Sequence, residues 1–252
     1  MKYLSPRVFL LVFALTTATF AQTHTEIERL ASALNNEGIR LFKEGKHEEA
    51  ITSFKRAIEA SPKDPVFYRN LAFVYREKQD LVQAEAVFRT ALEIGPGHAV
   101  TQNLLGNVLL ETQRPKEALI WFRSALATRP NDPLILLNIG NALIFLKDFK
   151  GASESLEKAR SLDPKNPRVH LSLGFSYGMM KKFEQAITEA RTASEIDPND
   201  ESAQMLLGTL YLANNDRDAA IAQQRKMYLY NPELARRLYN AINSDKLLVI
   251  SP

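Results

Sequence analysis

Proline recurs at one fixed interval through most of this chain, at Pro62, Pro96, Pro130, Pro164, Pro198 and Pro232. Alanine keeps the same step twelve positions earlier, at Ala50, Ala84, Ala118, Ala152, Ala186 and Ala220. A second alanine series stands five positions before the proline, at Ala57, Ala91, Ala125, Ala159 and Ala193, and breaks at Met227. A small residue precedes it at a constant distance too, at Gly38, Ala72, Gly106, Gly140, Gly174 and Gly208. A period of this length specifies a stacked array of supersecondary units rather than one globular core. Such arrays mostly offer a long surface to a partner.

Counting each unit so that its proline falls third from the end gives 31–64, 65–98, 99–132, 133–166, 167–200 and 201–234. Each holds two apolar blocks at helical spacing. In the third unit these are Val100, Leu104, Leu105, Val108 and Leu109, then Ala118, Leu119, Phe122, Ala125 and Leu126. Pro115 between them suits the first turn of a new helix, where no N–H is needed. Asp64-Pro65, Asp132-Pro133 and Asn166-Pro167 read as N-caps followed by proline at the first helical position. The periodic proline ends the helix before it, because its ring clashes with the carbonyl four residues back. Thr25-Glu26-Ile27-Glu28 has the form of a capping box, which predicts a first helix from near Glu26. Each unit is therefore a helix, a tight turn and a helix. Small residues at positions 8, 20 and 27 let the axes approach closely.

These positions resemble the tetratricopeptide repeat. The second unit supplies Tyr68, Leu71, Ala72, Tyr75, Ala84, Phe88, Ala91 and Pro96, and the third Leu105, Gly106, Leu109, Ala118, Phe122, Ala125 and Pro130. The fifth supplies Leu173, Gly174, Tyr177, Ala186, Ala193 and Pro198. The resemblance implies an all-α fold, a right-handed α-α superhelix of six helix-turn-helix repeats. Glu37 departs from the pattern in the first unit, and Gln224 and Met227 in the last, where exposed ends need other residues. Leu234, Leu238 and Ile242 form an amphipathic stripe, which predicts a capping helix over 233–242. The array as a whole occupies 22–243, and 244–252 is a short tail containing Leu247-Leu248-Val249-Ile250.

The resemblance also implies where a partner lies, in a concave groove lined by the first helices at positions 2, 5, 9, 12 and 13. Here that places Arg69, Phe73, Arg76, Asn103, Asn107, Leu110, Leu137, Asn141, Ile144, Phe145, Leu171, Phe175 and Met179 in the groove, with Met205 and Leu212 beyond them. Asparagine amides both donate and accept, so Asn103, Asn107 and Asn141 suit a partner's backbone. Apolar residues dominate toward the C-terminal end and suit an apolar or extended segment. Solvated asparagines and apolar residues buried by curvature or by the tail are the alternatives. Some members of the family grip a C-terminal carboxylate with cations at position 5. Here that position holds Asn35, Arg69, Asn103, Leu137, Leu171 and Met205, so the paired cations are missing. The tail could dock in a groove, its own or a neighbour's, or fray.

Residues 1–21 read as a secretory signal. Lys2 and Arg7 precede an apolar stretch over 8–20, and Thr19 and Ala21 are small residues at the −3 and −1 positions before Gln22. That stretch is short beside the ~20 residues needed to cross a bilayer. This predicts a periplasmic or secreted protein, the alternative being a leader retained as a membrane anchor. The chain has no cysteine, hence no disulfide and no lipidated cysteine after the leader. In size and repeat count it resembles helper proteins of pilus or outer-membrane assembly, which typically carry that cysteine.

Hydrophobic residues make up 45% and charged residues 24%, as in a folded soluble protein. Without Lys2 and Arg7, basic residues exceed acidic ones by a single charge and form no cluster, so nucleic acid is not an expected partner. His24, His47, His98 and His170 share no metal-ligand spacing. His47 and His98 fall at turns and read as solvent-facing, while His170 reads as packed between helices. The glycines form no phosphate loop, and Ser53, Ser124, Ser153 and Ser194 lie on second helices without an elbow motif. Helix-start acids such as Glu48-Glu49 complement the dipole. No catalysis, metal or cofactor is expected. The expected function is an exported protein-binding scaffold that takes part in envelope assembly. Self-association, including through the tail, and a membrane-tethered form are the alternatives.

Overall fold

The computed structural model describes residues 6–244, with side chains from Thr25 onward. The leader reading therefore falls on side chains outside this range, and the Leu247–Ile250 stretch lies beyond it altogether. Every regular element among the described residues is an α-helix: α1 Pro6–Lys43, α2 His47–Ala60, α3 Pro65–Glu77, α4 Leu81–Ile94, α5 Ala99–Glu111, α6 Pro115–Thr128, α7 Pro133–Phe145, α8 Phe149–Leu162, α9 Pro167–Met179, α10 Phe183–Ile196, α11 Glu201–Ala213, α12 Arg217–Tyr228 and α13 Pro232–Asn243. The chain divides after Val108 into two compact bodies.

In the first body α1, α2, α3 and α4 pack in sequence, and α1 also touches α3. One cluster joins Leu41, Ala50, Ile51, Phe54, Leu71 and Val74, and a second joins Ala31, Ala57 and Phe67. The first helix does not open at Glu26. It begins at Pro6 and runs through to Lys43, because no proline or glycine interrupts the sequence between Pro6 and Gly38. In the second body α6 through α13 pack in sequence, with α7 also against α9, α9 against α11 and α11 against α13. At its end Leu234, Ala235, Leu238 and Ile242 of α13 join Ala220 and Met227 of α12 in one cluster.

The periodic small residues mark the close approaches. The alanines of the two series have at most 1% exposure. A Cβ on Gly140 would lie 2.5 Å from Leu156 Cγ, so α7 and α8 meet only because the side chain is missing. In the last unit, where the corresponding position of the second helix is Gln224, a Cβ on Gly208 would instead overlap Leu238 of α13.

Two features repeat that the sequence does not announce. Gly45, Gln79, Gln113, Lys147, Lys181 and Asn215 fall at one position of successive units, and all have φ between 59° and 76°. The next residue in each case donates its N–H to the carbonyl five back, from Lys46 to Leu41 through Asp216 to Tyr211, at 2.7–2.9 Å. This is the Schellman closure of a helix, here made mostly without glycine. The second is a latch at position 4. Tyr68 Oη, Gln102 Nε2, His170 Nε2 and Gln204 Nε2 each donate to the carbonyl of the periodic proline six positions earlier, at 3.1, 2.7, 2.9 and 3.0 Å.

The caps follow the sequence. Asp64, Asp132 and Asn166 accept from Val66, Leu134 and Arg168 N–H groups. Asp80, Asp148 and Asp216 do the same for second helices. Pro232 differs from the other periodic prolines. It opens α13 behind Asn231, which accepts from Leu234 N–H, whereas the others stand in the turn between units.

Candidate functional site

The expected groove residues fall in both bodies. In the first, Arg69 on α3 is half-buried. Its Nη1 lies 3.2 Å from His98 Nε2 and its Nη2 donates to Asn70 Oδ1 at 3.3 Å, while Asn70 Nδ2 donates to Asn35 Oδ1 of α1 at 2.8 Å. Burial holds the Arg69 guanidinium below its ordinary value, with Asp64 opposing. Phe73 is half-buried and packs edge-on against Phe42 of α1, with centroids 5.5 Å apart. Arg76 lies 3.7 Å from Glu77. Asn103 on α5 is buried, whereas Asn107, one turn later, is half-buried.

His98 is not the solvent-facing turn residue that the sequence suggests. It is half-buried just before α5, where its Nδ1 accepts from Thr101 N–H at 3.2 Å and so caps the helix. Burial, with Arg69 beside it, holds His98 below the usual imidazole range. His47 stacks on Phe42 at 5.4 Å. His170 is buried between α9 and α10.

In the second body the groove positions separate into two sets. Leu137, Ile144 and Phe175 are core residues, Leu137 with 0% exposure, so they support the surface rather than form it. Phe175 packs edge-on against Phe149, centroids 6.2 Å apart. Leu110, Asn141 and Leu171 are half-buried. Phe145 and Met179 are 53% and 39% exposed and occupy the same position in successive units, at the ends of α7 and α9. Asn141 is one helical turn before Phe145 and shares its face. It accepts from Ser172 Oγ of α9 at 2.8 Å, and its own NH2 has no partner among the described residues. These helices thus present an apolar pair with an amide donor beside it. The resemblance to the tetratricopeptide repeat is what selected these positions. Which of them the neighbouring helices cover depended on packing that no spacing reveals.

No group of three or more His, Cys, Asp or Glu side chains able to hold a metal occurs among the described residues. No helix among them is long and apolar enough to cross a membrane.

Models of the tetratricopeptide repeat match residues 66–131, 38–79, 109–174 and 143–210. Among curated protein sequences nothing matches. Many solved structures share the fold. PilW, a widely conserved type IV pilus biogenesis factor, is 20% identical with a TM-score of 0.77, over 83% of this chain and 98% of PilW. PilF of Pseudomonas aeruginosa is 21% identical with a TM-score of 0.74, over 86% of this chain and 99% of PilF. YrrB, a repeat protein with an unusual peptide-binding site, is 24% identical with a TM-score of 0.61, over 74% of this chain and 97% of YrrB.

Proposed function

Because the chain belongs to the tetratricopeptide repeat family, we propose that it is a protein-binding adaptor whose first helices receive a protein or peptide partner, with α7 and α9 carrying the contact. The observation behind this is the exposed pair Phe145 and Met179 beside the unpaired Asn141 amide. An apolar side chain of the partner rests between Phe145 and Met179, and a main-chain carbonyl accepts from Asn141 Nδ2. The ligand class is an apolar, extended segment. Since the helices already hold these groups in place, the partner alone has to be ordered on binding.

The site of action is the cell envelope, after export. Support comes from the signal-like segment 1–21 and from the fold shared with a pilus biogenesis factor, the latter an analogy of fold. A start at Gln22 in N-terminal sequencing of the exported protein supports cleavage; a start at Met1 replaces it with the tethered form.

Photocrosslinking tests the surface. A crosslinking amino acid at position 145 or 179 should capture a partner in native envelope extract, and one at the exposed Val82 of α4 should not. Asn141→Ala should reduce the yield from position 179. Equal capture from 82 and 145 would remove the assignment.

A further inference from the structure

The end of α12 and the turn that follows it expose three large side chains in a row: Tyr228, Leu229 and Tyr230, with Leu229 at 78% exposure. The residue at the place of Leu229 in the earlier units is Glu59, Glu93, Ala127, Ser161 or Glu195. An exposed leucine here is thus a departure confined to the last unit. Beside the tip lies a cavity of about 120 Å³, lined by Pro198, Met227, Tyr230 and Leu234 and by the polar Asn199, Glu201, Gln204 and Asn231.

Charge divides across the same region. The stretch 195–201, from the end of α10 to the start of α11, carries Glu195, Asp197, Asp200 and Glu201 and no base. Pro198 and Glu201 from it line the cavity. The last turn of α12 carries Arg225 and Lys226, both exposed and neither in an ion pair among the described residues. The α12–α13 end of the second body thus presents an apolar projection, a recess lined by both apolar and polar side chains, a basic edge and an acidic edge.

We infer that this end is a self-association surface, where a second copy of the chain seats its Leu229 in the recess beside Tyr230. A two-fold axis exchanges projection for recess and sets each basic edge on the acidic edge of its mate, so one rotation satisfies all four features. An anionic membrane would meet four carboxylates beside the two cations, and an acidic protein would meet the same repulsion. The exposed apolar area is small, which makes the dimer weak and concentration-dependent. This surface is separate from the α7–α9 strip and does not rest on it.

Sedimentation velocity of the protein expressed from its full sequence, from low to several hundred micromolar, tests the inference. The mass should approach twice the monomer at the top of the range. Leu229→Glu should weaken association at least tenfold. Arg225→Glu/Lys226→Glu and Glu195→Lys/Glu201→Lys should each be monomeric alone, and an equal mixture of the two should dimerise. Circular dichroism melting verifies that each variant folds. A wild-type protein monomeric throughout, a dimer indifferent to Leu229→Glu, or a mixture that stays monomeric overturns the proposal. So does a monomer that binds vesicles of phosphatidylglycerol and phosphatidylcholine and loses that binding in Leu229→Glu.

Discussion

The fifth and sixth units solve one packing problem with opposite chemistry. In the fifth, His170 Nε2 donates to Pro164 O at 2.9 Å and its Nδ1 lies 2.6 Å from Glu189 Oε2, while the other Glu189 oxygen bonds Arg160 Nη1. In the sixth, Gln204 Nε2 donates to Pro198 O and Gln204 Oε1 accepts from Gln223 Nε2 at 2.5 Å. His170 and Gln204 hold the same repeat position, as do Glu189 and Gln223. These two units therefore share a donor to the proline carbonyl and a partner on the second helix, and differ in charge. What differs is the cost of losing one member. A buried carboxylate bound by two bases is a pair that is expensive to break, whereas an amide pair leaves only an unmet hydrogen bond.

The largest expected effect separates the two. Glu189→Ala should lower stability by about 3 kcal/mol in urea unfolding, and Gln223→Ala by about 1–2 kcal/mol. The double change His170→Gln/Glu189→Gln, which writes the sixth unit's pair into the fifth, should stay within about 1 kcal/mol of the parent. Equal losses for Glu189→Ala and Gln223→Ala would erase the contrast.

Next comes the glycine at position 8. Gly208→Ala should cost about 1–2 kcal/mol, because Leu238 must move aside. In a Leu238→Ala background that cost should disappear, and a cycle of the four proteins measures it. Gly174→Ala should cost less, since its closest atoms would be Ala186 O and Ala190 N at 3.2 Å.

The turns give a smaller difference of opposite sign. Lys181→Gly should raise stability by about 0.5–1 kcal/mol, since a side chain with φ of 59° is strained. Asn215→Gly should gain less, as asparagine tolerates that conformation. Thermal melts of the two variants decide whether the gain tracks the residue type.

The smallest effect asks whether acid sensitivity belongs to an imidazole outside these two units. The folded His98 takes up a proton less readily than the unfolded one, owing to burial and to Arg69. Its contribution is complete above the ordinary imidazole value of about 6.5 and is lost as pH falls from there through the lower folded value. His98→Asn should flatten the dependence of the urea midpoint between pH 7 and pH 5; an unchanged slope assigns it elsewhere.

The helical repeat was legible in the sequence because its prolines, alanines and glycines are sterically obligatory, and Asp64, Asp132 and Asn166 announced their caps. The left-handed turn was not legible, since Gln79, Gln113, Lys147 and Lys181 carry no mark of it. Nor was the latch, made by tyrosine, glutamine and histidine alike. The opening of α1 at Pro6 was missed because a capping sequence at Thr25 cannot stop a helix that nothing precedes with a breaker. For the candidate surface, the family resemblance implied Leu137 and Phe145 equally, and only the packing of neighbouring helices sealed the first and left the second bare.

The position-4 latch joins groups only six positions apart, so its ends always travel together. Excision or duplication of one whole period that holds a latch would carry the latch, a turn and a cap in register with what remains. The number of repeats is thus adjustable in whole steps by gene rearrangement, without a new fold having to be found.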